Sequence, residues 1–369
     1  MHSTATLVRE IIPHPALREQ EVRASRRPPQ ERVAAEGMRG SGGLAEIEAL
    51  MERLAGTSPT DVVGGIVCEH LATGGKRLRA RLALATLEGL GGERKAGIAW
   101  AAACELLHNA TLIHDDLQDG DQIRRGRPSV WARHGAGQAI NAGDLLLMLP
   151  FLAVDELAAP REVRWSLARL LAAHATRVVR GQAVDLALSG MKELDWESYR
   201  AAVVGKTSAL FQLPVEGAAL LAGVGEEEAE ALAAGFRPLG VLYQLQDDLL
   251  DLFGHAGDDL RGSDLRAGKV TALVVEHLAR HPRDRAWLLA LLACPRESTP
   301  EADVQRAMLR FRRGRTVEAV LARIDEEAQE ALACPALHRW PALRALALEL
   351  IEVVLAPIQH LRQEVKEGR

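Results

Sequence analysis

From position 44 almost to the C-terminus, apolar residues recur at steps of three and four, a spacing that predicts helices. In the first run, Leu44, Ile47, Leu50 and Leu54 would share one face. Glycine pairs and short polar segments separate the runs, and short connections are typical of helical bundles. After the first helix, the pattern predicts one that Thr60 or Asp61 caps and Gly74-Gly75 ends, then 76–90, 96–117, 138–157, 161–189, 195–204, 206–222, 226–252, 269–280, 284–294, 300–312, 314–334 and 340–365, with a polar loop over 120–135.

The helix predicted over 96–117 is nearly uncharged on all sides, which is typical of a helix at the centre of a fold. Good helix formers dominate the composition, and aromatic residues make up only 4% of the chain. We therefore predict an all-α fold. The 369 residues are ample for a sizeable core, and no composition shift or repeat marks a second domain, so residues 44–369 are expected to form one domain.

Residues 1–43 lack this apolar periodicity. Arginines and glutamates are interspersed, two prolines are adjacent, and a Gly-Ser-Gly-Gly run ends the segment. This composition predicts a flexible extension or a loosely docked arm. An arginine-rich targeting peptide fits less well, because such peptides are poor in acidic residues.

Charge and cysteine usage exclude several classes of protein. A net charge of −5 argues against nucleic-acid binding through a general basic field. The four cysteines are far apart and form no metal-binding pattern, as expected of reduced thiols in a cytosolic protein. No continuous apolar run reaches the roughly 18 residues that span a bilayer, and no secretory signal is visible. We expect a cytoplasmic protein without stable membrane insertion.

Two acidic clusters share the spacing i, i+1, i+4, and each follows a strongly apolar stretch. Carboxylates in such a place are costly unless they are paired or bound to metal. On a helix, Asp115 and Asp119 would lie one turn apart, about 5 to 6 Å between their Cβ atoms. If the two helices face each other, the clusters form two walls of one site that suits Mg²⁺ and substrate phosphates. The first cluster is Asp115, Asp116 and Asp119, and the second is Asp247, Asp248 and Asp251.

Basic residues accompany the acids. Lys76 and Arg79 would lie one turn apart at a helix start, where backbone N–H groups also favour anions. His108 lies two turns before Asp115 on nearly the same face. A buried histidine is more often a satisfied core residue, but beside two cations it can bind a diphosphate.

Further cations follow along the chain. Arg124 and Arg125 lie in the loop after the first acidic cluster, and arginine can bind a phosphate through two parallel hydrogen bonds. Lys206 and Thr207 are predicted to open a helix after Gly205, an electrostatically poor place for lysine unless an anion or a partner is bound. The acids and cations together indicate a ligand such as a diphosphate, which brings metal ions with it.

These segments resemble the trans-isoprenyl diphosphate synthases, or polyprenyl synthetases. The similarity covers roughly residues 44–360, with the motifs in the family's order, and leaves residues 1–43 outside it. The resemblance implies helices around a deep apolar cavity (the isoprenoid synthase fold), a homodimer, and a Mg²⁺ cluster, typically of three ions, for which Mn²⁺ can substitute. The matching segments are GGKRLR at 74–79, HNATLIHDDLQD at 108–119, RRGRP at 124–128, GQAVDL at 181–186, GKT at 205–207, QLQDDLLD at 244–251 and DLRAGK at 264–269.

The resemblance also implies the reaction, in which isopentenyl diphosphate adds head-to-tail to an allylic diphosphate. Carried over by position, Asp115 and Asp119 bridge Mg²⁺ to the allylic diphosphate with support from Asp116. Asp247 binds the remaining Mg²⁺, helped by Asp248 and Asp251. The allylic diphosphate is assigned to Arg124, Lys206 and Lys269; isopentenyl diphosphate to Lys76, Arg79, His108 and Arg125; and the surroundings of the developing carbocation to Lys206, Thr207, Gln244, Gln182 and Asp185.

The chain departs from the family in one segment. Asp259 falls where many members carry a lysine, and Arg261 or Arg266 is the candidate replacement. A proline that often follows the lysine of the DLRAGK segment is missing, because Val270 follows Lys269 here.

In this family, the turn before the first acidic cluster controls product length. Thr111 and Ala110 lie four and five residues before Asp115, and neither carries the bulky ring usual in farnesyl-forming enzymes. The resemblance therefore implies a product longer than C15, most simply C20 geranylgeranyl diphosphate, with farnesyl or longer polyprenyl products as alternatives. The candidate floors of the cavity are Leu107, Met148 and Phe151.

Two other functions fit the residues less well. A class I terpene cyclase of similar fold needs an N/D-D-x-x-S-x-x-x-E type of second motif, and Leu252 stands where its serine would fall counted from Asp248. A non-catalytic regulatory subunit of a prenyl synthase typically loses acidic motifs or arginines, and this chain has both.

Overall fold

The computed structural model describes residues 42–56, 58, 60–191, 193–254 and 261–367. Within these ranges the chain is almost entirely helical, which confirms the all-α prediction. The predictions for residues 1–41 and for Asp259 lie outside the described residues.

Nineteen α-helices follow one another along the described part of the chain. Helices α1 to α10 are Leu44–Ala55, Val62–Leu71, Leu78–Gly89, Ile98–Asp119, Val130–His134, Ala136–Asp155, Arg161–Leu188, Trp196–Val203, Ala209–Leu221 and Glu226–Ala234. Helices α11 to α19 are Arg237–Phe253, Ser263–Arg266, Ala272–Arg280, Arg285–Leu292, Glu301–Arg313, Thr316–Leu332, Pro335–Arg339, Pro341–Leu355 and Gln359–Lys366. Between them lie the antiparallel strands β1 (Ile123–Arg124) and β2 (Arg127–Pro128), the π-helical turn Val204–Ser208, and the 3₁₀ turns Arg94–Gly97, Pro282–Asp284, Arg296–Ser298 and Ala356–Ile358.

Helix α4 lies at the centre, as its uncharged sequence predicts. It packs along α6 and against α1, α3 and α9. Its Trp100 is fully buried, and a Cβ atom at Gly217 of α9 would come within 2.0 Å of the Trp100 ring. The Trp100 Nε1–H donates to the Pro214 carbonyl at 3.2 Å, so the largest apolar side chain of α4 also has its polar atom satisfied.

Several predicted elements need correction. The polar loop over 120–135 contains a two-stranded hairpin and the short helix α5. The helix predicted over 226–252 is two helices, because Pro238 has no N–H for a continuous helix and occupies the first turn of α11 instead. Helix α3 begins at Leu78 rather than at Lys76, since Arg77 is left-handed with φ 49°. The final helix, predicted over 340–365, is divided by a 3₁₀ turn.

Helix α6 is, within the part of the chain that the structure describes, the one helix long and apolar enough to cross a membrane. Of its most apolar window, 44% is buried inside the fold, and buried core helices meet the same criterion. One face of α6 is buried and the opposite face is exposed. Leu146 and Leu149 pack in the core, whereas Met148 and Leu152 are more than half exposed.

Candidate active site

A cavity of about 1310 Å³ opens beside the C-terminal half of α4. It is larger than the roughly 300–1,000 Å³ of an ordinary small-molecule site. Helix α11 forms the opposite side, and residues of both acidic clusters face the space between. The two walls that the sequence predicts therefore belong to one site.

The first acidic wall is paired with cations. Lys206 Nζ lies 3.7 Å from Asp115 Oδ2, and Lys269 Nζ lies 2.9 Å from Asp119 Oδ2. Burial raises the pKa of Asp115 above its usual value, although Lys206 opposes the shift. Gly120, with φ 69°, then ends α4 as a left-handed cap, so both carboxylates stand on the last turns of a rigid helix.

The middle aspartate of this wall points away from the cavity. Asp116 is 1% exposed, and its Oδ1 accepts hydrogen bonds from Arg124 Nε at 2.8 Å and from Arg124 Nη2. Burial raises the pKa of Asp116 to about 6 in spite of that arginine. Arg124, expected on the allylic diphosphate, thus has a carboxylate partner of its own, while the exposed part of its side chain lines the cavity.

The second wall is organised around Asp248. Its Oδ2 accepts from the Tyr199 hydroxyl and from the Ala272 N–H, both at 2.7 Å, and its Oδ1 accepts from Gln244 Nε2 at 3.0 Å. Gln244 Oε1 in turn accepts from the Thr207 hydroxyl at 3.1 Å. Asp248 therefore orients the polar side chains that face the cavity, and its own lone pairs are largely occupied by protein donors.

The other two acids of this wall face the cavity together with Asp264, to which the sequence analysis assigned no role. Removal from bulk water, reinforced by Asp264, raises the pKa of Asp247 to about 6 and that of Asp251 to about 8. Lys269 Nζ lies 3.1 Å from Asp264 Oδ1. The sequence could have indicated Asp264, because it is the first residue of the DLRAGK segment that resembles the family.

This donor set fits a hard divalent cation. The acidic clusters offer carboxylate oxygens, and in the second wall burial, followed by the charge of Asp264, raises the pKa of Asp247 and Asp251. Among the described residues, no three His, Cys, Asp or Glu side chains converge closely enough to hold a metal by themselves. Mg²⁺ is commonly bound by one or two carboxylates and completed by substrate phosphates and water.

A cationic wall lies at the start of α3. Arg79 is 7% exposed, its guanidinium lies 5.0 Å from the Phe211 ring centre and 5.5 Å from that of Tyr243, and its buried Nε has no hydrogen-bond partner. His108 Nδ1 is also buried without a partner. Burial, with Arg79 nearby, lowers the pKa of His108 well below its usual value, so the ring is neutral.

The remaining members of this wall frame its entrance. Arg125 Nη1 donates to the Thr73 hydroxyl at 3.2 Å and to the Gly74 carbonyl. Lys76 precedes α3 rather than standing in its first turn, and it is exposed at the cavity. The structure therefore brings the four residues assigned to isopentenyl diphosphate to one side of the cavity.

Glu105 is a second residue that the sequence analysis missed. It is 2% exposed on α4, and its Oε1 accepts the backbone N–H groups of Arg79 at 3.0 Å and Ala80 at 3.1 Å. This buried carboxylate caps α3 and thereby positions Arg79. A lone acid in an apolar helix was the signal that could have found it.

The π-helical turn carries Lys206 and Thr207 into the cavity. Lys206 does not open a helix, as predicted, but lies inside the continuous turn between α8 and α9. A Cβ atom at Gly181 of α7 would come within 2.2 Å of the Lys206 backbone nitrogen, so only glycine allows this close approach. Lys206 Nζ also lies 3.0 Å from Asp185 Oδ2. Such π-turns occur frequently at functional sites.

Gln182, expected beside the carbocation, lies elsewhere. It is 8% exposed, is absent from the cavity lining, and donates from Nε2 to Gln118 Oε1 at 2.8 Å. Its place on α7, one residue after Gly181, turns it toward α4. In this structure the side chain contacts Gln118 rather than lining the cavity, so its position does not support a contact with the reacting centre.

Only one of the five residues expected to control product length lines the cavity. Thr111 does so, together with its neighbour Leu112. Leu107 and Ala110 do not line the cavity but are buried in the core that α4 shares with α6. Met148 and Phe151 lie on the outer face of α6, with exposures of 56% and 36%, and do not form a floor in this chain.

The candidate replacements for the missing lysine are occupied by other partners. Arg261 is exposed and donates to the Gly254 carbonyl at 3.1 Å. Arg266 lines the cavity, but its guanidinium donates to the Thr299 carbonyl at 3.1 Å and to Glu301.

Comparison with known proteins identifies this architecture. A family model described as polyprenyl synthetase matches residues 64–310. A short chain isoprenyl diphosphate synthase of Methanothermobacter thermautotrophicus is 34% identical over 66% of this chain and 76% of its own length. Two Mycobacterium tuberculosis enzymes are each 35% identical. One is a geranylgeranyl diphosphate synthase, and the match covers 74% of this chain and 78% of that enzyme. The other is a (2E,6E)-farnesyl diphosphate synthase, and the match covers 58% of this chain and 61% of that enzyme.

A solved structure has the same fold. The polyprenyl synthase of Caulobacter crescentus, complexed with calcium and isoprenyl diphosphate, is 28% identical, with a TM-score of 0.77 over 88% of this chain and 97% of that one. The isoprenoid synthase fold is thereby confirmed, and relatives named for different product lengths have the same percentage identity to this chain.

Proposed function

Because this chain belongs to the polyprenyl synthetase family, whose members are prenyltransferases and in general depend on Mg²⁺, we propose that it condenses isopentenyl diphosphate with an allylic diphosphate. The product is a trans-prenyl diphosphate longer than C15, most simply C20 geranylgeranyl diphosphate. The chain acts in the cytoplasm as a homodimer.

One observation carries the proposal. A single cavity has acidic side chains on one side and, on the other, the buried Arg79 with the exposed cations Lys76 and Arg125 and the neutral His108. Two diphosphates can bind there without competing, one through metal ions and one directly through the cations. The reaction requires this arrangement, because the two substrates must meet at their carbon ends.

We assign the allylic diphosphate to the acidic side. Asp115 and Asp119 of the first wall, and Asp247 and Asp251 of the second, would hold Mg²⁺. The metal, when bound, stabilises negative charge on the departing diphosphate. Lys206 and Lys269 already contact the first wall, and both can turn toward that diphosphate as its charge develops.

The reaction then forms one carbon–carbon bond. The allylic C–O bond breaks and its electron pair leaves with the diphosphate. The double bond of isopentenyl diphosphate attacks the allylic cation, and a proton passes to the released diphosphate, so no dedicated base is needed. Thr207 and Gln244, fixed by Asp248, present their dipoles to the cation, and the apolar part of the cavity excludes water.

The product length rests on the small side chains near the first wall. Thr111 and Leu112, one turn before Asp115, line the cavity together with Val178 and Leu210, and none of these four side chains carries an aromatic ring. A chain longer than C15 therefore has a path.

The homodimer rests on an exposed apolar surface. Ile140, Met148 and Leu152 of α6 are about half exposed, and Val179 of α7 is 62% exposed. A surface of this kind on adjacent helices is typical of a protein–protein interface.

Incubation of the purified protein with Mg²⁺, isopentenyl diphosphate and a C5, C10 or C15 primer tests the proposal. Product diphosphates are identified by chromatography after dephosphorylation. Chain extension is expected with at least one primer. Diphosphate release from the primer without isopentenyl diphosphate would instead support a cyclase, and no release with any primer would reject the synthase function.

A further inference from the structure

Arg296 connects the two acidic walls, although it lies far from both in the sequence. It belongs to the 3₁₀ turn between α14 and α15 and lines the cavity. Its Nη1 donates to the Asp119 carbonyl at 3.0 Å and to Asp121 Oδ1 at 2.7 Å. Its Nη2 donates to the Ser263 hydroxyl at 2.8 Å. One guanidinium therefore joins the end of α4 to the start of α12.

The contact with Asp119 stabilises the end of the first wall. Asp119 is the last residue of α4, where backbone carbonyls lack partners within the helix and carry partial negative charge. A cation that donates to this carbonyl satisfies it and fixes the final turn. The Asp119 side chain faces the cavity from that same turn.

The contact with Ser263 stabilises the second wall. Ser263 is the first residue of α12 and precedes Asp264. The Asp264 backbone N–H faces the Asp251 carboxylate, 3.4 Å from each of its oxygens. Displacement of Ser263 would therefore move both Asp264 and the cradle of Asp251.

Lys269 also bridges the walls, through Asp119 Oδ2 and Asp264 Oδ1. Both of those partners are cavity-facing acids, however, so a bound metal and diphosphate would compete for them. Arg296 uses a carbonyl, a hydroxyl and Asp121, which also lines the cavity but belongs to neither acidic cluster and has a second cation, Arg124, 3.8 Å away. Its contacts can persist when Lys269 turns to the substrate.

On this basis, which rests on the proposed function, we infer that Arg296 is a positioning residue that sets the separation of the two acidic walls for the metal–diphosphate group. It acts through Asp119, Asp121 and Ser263 and need not touch substrate. The cationic wall at Arg79 lies outside its reach, so binding of isopentenyl diphosphate should not depend on it.

The test compares Arg296→Ala, Arg296→Lys and the control Arg283→Ala, an exposed arginine of the 3₁₀ turn before α14. Calorimetric titration with inorganic pyrophosphate and Mg²⁺ measures binding without catalysis. Loss of charge-assisted hydrogen bonds predicts that Arg296→Ala weakens this binding about tenfold. Arg296→Lys should restore part of the pyrophosphate binding. Lysine supplies a positive charge for Asp121, but it lacks the two guanidinium nitrogens that contact both walls at once. The control should bind as the unmodified protein does.

Kinetics and a double-mutant cycle complete the test. Arg296→Ala should lower kcat about tenfold and raise the KM of the allylic primer, with the KM of isopentenyl diphosphate unchanged within about twofold. Ser263→Ala should have a smaller effect that disappears in the Arg296→Ala background. Unchanged pyrophosphate binding, or equal losses for both substrates, would overturn the inference. The pyrophosphate titration decides it even if no prenyl product is formed, so the two failures can be told apart.

Discussion

The two acidic clusters have the same spacing but meet different surroundings. Across from the first lie cations, with Lys206 3.7 Å from Asp115 and Lys269 2.9 Å from Asp119. The second faces a further acid, Asp264, which helps to raise the pKa of Asp251 to about 8. Identical spacing thus arranges carboxylates along a helix without determining what they face. Under the proposed function, we expect the first wall to receive a diphosphate that arrives with metal and the second wall to bind the metal more directly.

The middle aspartates of the two clusters also differ in their hydrogen-bond partners. Asp116 is bound to a charged partner, Arg124, whereas Asp248 accepts from the neutral donors of Tyr199, Gln244 and the Ala272 backbone. Both are buried and both hold other residues in place. The comparison therefore separates the outer aspartates from the middle ones, which are almost fully buried and support the walls, although Asp248 also borders the cavity.

The strongest test of this division removes an outer acid from the second wall. Asp247→Ala should lower kcat/KM about 10³-fold, the scale of losing a principal electrostatic contact with the transition state. It should also weaken Mg²⁺ binding in the absence of substrate more than Asp119→Ala does. Steady-state kinetics and Mg²⁺ titrations measure both effects, with the exposed Asp155→Asn as control. Equal Mg²⁺ affinity in the two variants would remove the distinction between the walls.

Replacement of a middle aspartate should cost stability as well as activity. Asp248→Asn turns an amide N–H₂ toward groups that themselves donate, so the free energy of unfolding should fall by about 1–3 kcal/mol. Tyr199→Phe removes one donor only and should have a smaller effect. Urea unfolding of the metal-free protein provides the values. Stability equal to the unmodified protein would show that these hydrogen bonds contribute nothing to the second wall.

The second wall should also make stability depend on pH. The folded-state pKa values of Asp247, Asp248 and Asp251 are raised to about 6, 7 and 8, above the unfolded value of about 3.9. Between about pH 4 and pH 8 these three aspartates bind more protons in the folded protein than in the unfolded chain, so their contribution to the free energy of unfolding falls as pH rises. The lowered pKa values of His70 and His108 act in the opposite direction below about pH 6.5. Above that pH the aspartates dominate, so thermal unfolding in a chelator should show a lower Tm at pH 8 than at about pH 6.5.

Asp251→Asn should reduce this slope, since it removes the group with the highest pKa. Mg²⁺ with pyrophosphate should stabilise the unmodified protein more at pH 8 than at pH 5, because the acids must lose their protons to bind metal. If stability changed with pH equally steeply in Asp251→Asn and in the unmodified protein, Asp251 would not be a source of the pH dependence.

Much of the fold and half of the site could be predicted from the sequence. Helical periodicity gave the elements, and Asp61 caps α2 through its contact with the Gly64 N–H, one of the two predicted choices. The clusters were recognisable because two rare spacings occurred after apolar helices. Such features are local, and local sequence determines them.

The remainder depends on contacts between distant segments. Arg296 reaches Asp119 across 177 positions, and no pattern in either segment indicates the pair. The rotation of α4 is similarly set by its neighbours, so that Thr111 rather than Ala110 faces the cavity. Met148 and Phe151 were predicted as floors of the cavity, but in the structure they lie on the exposed face of α6. Helical spacing alone does not tell which of two apolar faces lines a cavity.

The turn before each cluster offers the mildest test of the comparison, with an effect on product rather than rate. Before the first lies Thr111, and before the second lies Tyr243, whose ring is packed beneath Arg79. The growing chain should therefore extend past Thr111.

Thr111→Phe should shorten the main product, most simply from C20 to C15, with activity retained, whereas Tyr243→Phe keeps the ring and should leave the product unchanged. Chromatography of the dephosphorylated products measures the shift, with the outward-facing Met148→Ala as a second control. Products of unchanged length from Thr111→Phe would place the path of the chain elsewhere, because a ring at that position cannot coexist with a tail that passes it.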